Sequence, residues 1–142
     1  MEVEKFFGAA YNGSKGYKQW DIPTARGFGA AADDYMERGI DLNEQLIRNK
    51  PATFFMRVSG NSMINAGIYD GDIVIVDRSV KPVNGKIVIA VIDGEMLIRR
   101  YEKTMNSLRL VPETPKLSPI DVSEFMNYSI WGVVSCVIRT LG

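Results

Sequence analysis

From residue 53 onward the chain alternates short apolar, β-branched runs with polar turns. Thr53–Val58 is aromatic and β-branched. Residues 72–77 and 86–92 are almost continuous in Ile and Val, the pattern of strands buried on both faces. Asp93-Gly94 separates the second of these runs from residues 95–101, and that dipeptide between two strand-like runs predicts a two-residue hairpin. Leu108–Val111 and residues 129–139 extend the series, with Pro112, Pro115 and Pro119 marking a loop between them. The prediction is a mainly β, compact domain of about six or seven strands.

Ahead of residue 53 the pattern changes. Asp41-Leu42-Asn43-Glu44 has the spacing of a capping box, which predicts a short helix with Leu42, Leu46 and Ile47 on one face and Pro51 at its end. The first 39 residues carry six of the 13 glycines and little apolar periodicity. They are read as an N-terminal arm (1–39), extended or loosely packed, joined to a β-rich domain (40–142). Within the arm, the small residues after Arg26, from Gly27 to Ala32, suit an extended protease substrate. No internal repeat or low-complexity tract interrupts the chain.

Composition narrows the chemistry. Lys+Arg and Asp+Glu balance at 17 each, so no basic tract points to direct nucleic-acid binding, and any work near DNA is expected to go through a protein partner. The longest apolar runs, 73–76 and 87–92, are too short to span a membrane. The first five residues lack the order of a signal peptide, so a cytoplasmic protein is expected. A single cysteine, Cys136, excludes an intrachain disulfide and a multi-cysteine zinc site, and it reads as a small core hydrophobe. With no histidine at all, Ser-His-Asp catalysis is closed to this chain. No metal and no cofactor is expected: Asp70 and Asp72 read as a tight acidic turn, and Gly67–Gly71 lacks the Lys and Ser of a phosphate-cradling loop.

What remains is Ser59-Gly60-Asn61-Ser62-Met63, followed by Asp70-Gly71-Asp72 and Arg99-Arg100. Ser62 is one of nine serines and taken alone would be a turn or cap residue. Gly60 gives the backbone freedom to expose a side chain at a tight turn, and the strand at 95–101 brings basic groups across the sheet. Without histidine, the natural base for such a serine is a desolvated lysine. Arginine cannot take that role, because its guanidinium keeps its proton at any working pH. Lys103 lies four residues beyond Arg99 and would have to fold back to serve; Arg99 itself could also be an ordinary interstrand arginine with the register moved by one.

These segments, together with Arg26-Gly27-Phe28, Ala32-Asp33-Asp34-Tyr35, Ile40-Asp41-Leu42-Asn43, Asp93-Gly94-Glu95 and Gly132-Val133-Val134, resemble the LexA/UmuD family of Ser/Lys self-cleaving proteins. The resemblance runs from about residue 24 to the C-terminus. It implies a β-rich catalytic domain, a homodimer and a cleavable arm. It implies stimulation by a RecA–single-stranded-DNA filament after DNA damage, and support of a Y-family translesion polymerase by the cut form. Residue by residue, Ser62 falls at the nucleophile, Arg99 at the general-base lysine and Arg26–Gly27 at the scissile bond. Arg26 replaces the family's small residue, and Arg99 replaces the base, so self-cleavage is expected to be absent or impaired. The stretch before Pro51 is too short and glycine-rich for a helix-turn-helix domain, so neither a repressor nor sequence-specific DNA binding is expected. The alternative is a non-catalytic module that binds a polymerase or RecA.

Overall fold

The computed structural model describes residues 2–9, 41–47, 49–123 and 126–142. Its elements are β1 (Val3–Ala9), α1 (Leu42–Leu46), β2 (Thr53–Val58), β3 (Ile73–Asp77), β4 (Ile87–Ile92), β5 (Glu95–Lys103), β6 (Leu108–Val111), β7 (Ile120–Val122) and β8 (Tyr128–Ile138), with 3-10 turns at Lys50–Ala52 and Ile64–Ala66. The strands form one antiparallel sheet in the order β1-β2-β3-β8-β4-β5-β6-β7. The mainly β architecture is as the sequence predicts. Two strands exceed the prediction. β7 is three residues long inside the proline-marked loop, and β1 lies within the expected arm.

Burial follows the apolar pattern. Val88 and Ala90 of β4 pack with Tyr101, Leu110 and Val133 on one face. Ile89, between them, points the other way into a cluster with Met56, Val74, Val76, Ile98 and Val3. This is why β4 has no polar face in sequence: both sides are covered. β3 divides likewise, since Ile75 meets Ile47, the residue after α1, on the opposite face from Val74 and Val76. The Glu44 amide donates to Asp41 Oδ1 at 3.3 Å, as a cap at Asp41 requires. Leu42 departs from the expected buried helix face, being 44% exposed, because a helix of five residues turns too little surface toward the sheet to cover it.

The hairpin at Asp93-Gly94 is present, with Ile92 opposite Glu95. Asp93 and Gly94 take φ of 49° and 84°, the paired left-handed conformation of a tight two-residue turn. The long strand β8 carries two irregularities, where its register shifts against β3 between Ile75 and Val76 and against β4 between Ile89 and Ala90. Bulges of this kind add local twist and bend the sheet. Gly132 sits at the second, where a Cβ would come within 2.6 Å of Val76 Cγ1, so β3 and β8 keep their spacing only with glycine there.

The bending brings the first strand toward β5, although four strands separate them in the sheet order. The Glu2 amide donates to Met96 O at 3.0 Å, and the Ser59 amide donates to Glu2 O at 2.7 Å. Glu2 therefore bridges β5 and the loop that follows β2. Among the described residues, no helix is long and apolar enough to cross a membrane.

Candidate functional site

Ser62 lies in the loop between β2 and β3. That loop is closed by its own polar groups. Gly60, at φ 87°, turns the chain in a conformation that side chains resist, and its amide donates to Asp70 Oδ1 at 2.8 Å. The Asp70 amide returns a bond to Asn61 Oδ1 at 3.3 Å. Val58 exchanges main-chain bonds with Asp72 O and the Gly71 amide, both at 2.8 Å. The Glu113 amide donates to Ser62 O at 2.8 Å and fixes the serine from the other side. Ser62 is 4% exposed.

Asp72 anchors the far end of the same loop. Its carboxylate is buried, accepts from the Tyr69 amide at 2.8 Å and takes a two-pronged grip from Arg139 Nε and Nη2 at 2.8 and 2.7 Å. Arg139 also lies over the Tyr69 ring, 4.3 Å from its centroid. The Arg139 hydrogen bonds hold the carboxyl below the usual aspartate range, against the opposing effect of burial, with the Tyr69 amide adding to the lowering. A depressed folded-state value gives stability that is present above the unfolded value and lost as pH falls through the folded one. Asp72→Asn is accordingly expected to cost about 2 kcal/mol near neutral pH. Its deficit against the native chain should shrink as pH drops below about 4. Urea unfolding across that range checks this; a deficit that stays constant to the acid end would contradict the ion pair as its source.

β5 settles the register of its two arginines. Arg99 is 5% exposed and turns inward, whereas Arg100 is half-buried on the other face, with Nε on Glu113 Oε1 at 2.5 Å and Nη1 on Gly85 O at 2.7 Å. Glu113 thus ties the serine loop to β5 through Arg100. Lys103 is exposed at the end of β5, four residues and about 13 Å along the strand from Arg99.

Ser62 and Arg99 meet on a carboxylate that the sequence reading did not include. Glu2 Oε1 accepts from Ser62 Oγ at 3.1 Å, from the Ile98 amide at 3.2 Å and from Arg99 Nη1 in a short ion pair. Arg99 Nη1 also donates to Ile98 O at 2.8 Å. Arg99 Nε is buried with no hydrogen-bond partner. The alternation of Glu2, Val3 and Glu4 was the available signal for a strand at the start of the chain, but nothing local names the strand's partner 50 residues on. Arg26 and Gly27 lie outside the described residues.

Chemically, the arrangement presents a serine hydroxyl whose proton points at a carboxylate already engaged by two other donors. A guanidinium bonds to the same carboxylate oxygen, and it has no lone pair with which to accept the proton. Among the described residues, no group of three or more His, Cys, Asp or Glu gathers with the geometry of a metal site.

The chain matches the model of a known family, described as peptidase S24-like, over residues 21–135. It is 44% identical to Protein ImpA of Salmonella typhimurium over 119 residues, 80% of this chain and 77% of that protein. It is 40% identical to Protein SamA of the same species, covering 80% of this chain and 78% of that protein. It is 38% identical to LexA repressor 1 of Xanthomonas campestris, over 81% of this chain and 57% of the repressor. The match takes in Ser62, Ile98 and Arg99, and it begins after β1 and Glu2.

Proposed function

The chain belongs to the peptidase S24-like family, and on that premise we propose that it is a DNA-damage (SOS) response protein, a self-cleaving peptidase homologue that serves as accessory subunit of an error-prone Y-family polymerase. Its homodimer and its contact with the RecA–single-stranded-DNA filament are part of the same reading. The observation that carries it is the buried pair of Ser62 and Arg99 bound to one carboxylate oxygen, at what this reading takes as the nucleophile and base positions of a Ser/Lys peptidase with the base replaced. Resemblance to ImpA, SamA and a LexA repressor over four-fifths of the chain supports the DNA-damage setting.

The arginine favours a second reading of the same protein as a binding module that acts uncut. One experiment separates the two. The chain and its Ser62→Ala variant are expressed in a bacterial strain lacking its own UmuD-type protein, with a Y-family polymerase partner supplied. Ultraviolet-induced mutation frequency is then measured, and the polymerase is sought among proteins retained by the tagged chain. The proposal expects retention of the polymerase and a rise in mutation. Equal performance of Ser62→Ala favours the uncut module. Absence of both retention and mutation overturns the accessory role.

A further inference from the structure

The receptor around Glu2 is built from groups that do not need Glu2 to be in place. Ser62 Oγ is held by its loop, the Ile98 amide by β5, and the Arg99 guanidinium by its bond to Ile98 O. All three donate to one point. Arg99 Nε, buried and unpartnered beside them, is a further donor lacking an acceptor. Three donors converge on one carboxylate oxygen, and a fourth, in the same guanidinium as one of them, is buried and unpaired. Such a set of donors favours an anion, and guanidinium geometry favours a carboxylate.

We propose that Ser62, Ile98 and Arg99 form a carboxylate-binding site whose ligand is the acidic side chain of an extended segment laid beside β2, a position that Glu2 and β1 fill in this structure. The main chain supports the same ligand class. β1 pairs antiparallel with β2, with Val3 opposite Val58, and the residue before it is clamped by Met96 O on one side and the Ser59 amide on the other. Strand addition supplies the affinity and the side-chain pocket the selectivity. The receptor residues lie inside the family match and the segment that fills them lies outside it, so ligand and receptor are separable parts of the chain. The site stands on this geometry alone and does not depend on any role in DNA damage.

Chemical rescue tests it on the full chain. Glu2→Ala leaves β1 able to pair and removes only the carboxylate. Sodium propionate is the probe, with propionamide as its neutral counterpart and sodium chloride for ionic strength. Propionate is expected to raise the melting temperature of Glu2→Ala saturably, by roughly 3 °C or more. Propionamide and chloride should not, and the native chain, already filled, should not respond to propionate. Equal effects of propionate and propionamide, or no effect of either, overturn the site. Should Glu2→Ala fail to fold, Glu2→Gln, Arg99→Met and the double variant carry the test. Losses that fail to add are expected from a shared site, and additive losses overturn it.

Discussion

Replacing Arg99 with lysine is expected to produce cleavage between Arg26 and Gly27 that the native chain shows weakly or not at all. The serine is already placed: Ser62 is buried in a loop closed by Gly60, Asp70 and Glu113, and its hydroxyl points toward the inward face of β5. What the site lacks is a lone pair of sufficient basicity. A lysine at 99 brings an amine that burial disposes toward its neutral form, and a positioned general base typically contributes about 10²–10⁴ in rate. Glu2 works against it, since a carboxylate beside an ammonium keeps the proton on nitrogen. Glu2→Gln in the lysine background should therefore cut faster than Arg99→Lys alone. Intact-mass spectrometry after incubation at high pH, and separately with activated RecA filament, reads the result directly. Equal cleavage of native and Arg99→Lys chains would mean that another group activates Ser62. An intact double variant would remove the assignment of position 99 to the base.

Most of this site was legible before any coordinates, for a physical reason. Its fixed parts are local: the Gly60 turn, the Asp70-Gly71-Asp72 turn and the alternating strand of β5 each announce themselves within a few residues. Period-two alternation even predicts that Arg99 and Arg100 take opposite faces of β5, although it takes the shared Glu2 carboxylate to join Arg99 to the serine. The parts that escaped are non-local. β1 has only the short alternation of Glu2, Val3 and Glu4 to declare it, and among the described residues it pairs with β2 while Glu2 before it bonds to β5 and the serine loop, segments 50 to 100 residues away. β7 is stabilised by pairing with β6 and follows Pro119 directly, at the end of a proline-marked stretch that reads as loop. Leu42 follows the helical apolar pattern and still faces solvent, because one turn of helix offers too small a face to bury it. Arg26 and Gly27, legible as a scissile pair only through resemblance, lie outside the described residues.

The pairing of Glu2 with Arg99 also sets an unequal pair of stability effects. Removing one partner of a buried ion pair leaves the other charge desolvated, at a cost of about 3–5 kcal/mol, whereas replacing both by apolar side chains can be close to neutral, and the cost of removing one falls where the charge left behind keeps donors and water. Here the partners differ in access to water: the Arg99 side chain is 6% exposed and that of Glu2 22%. Glu2→Ala strands the guanidinium, which has one nitrogen unsatisfied even in the native chain. A loss of about 3 kcal/mol is expected, at the lower end of the range because Glu2 is not fully desolvated. Arg99→Met removes the stranded charge together with its unpartnered nitrogen. It leaves a carboxylate that keeps the Ser62 hydroxyl and Ile98 amide as donors and has some contact with solvent. Its expected cost is about 1 kcal/mol or less. In the double variant the charge that Glu2→Ala would strand is gone, so it should sit near Arg99→Met and not at the sum. Urea unfolding of the three variants measures this order. Equal losses from the two single variants would show that the guanidinium is solvated or compensated some other way, and that the contact with Glu2 does not control the energetics of the pocket.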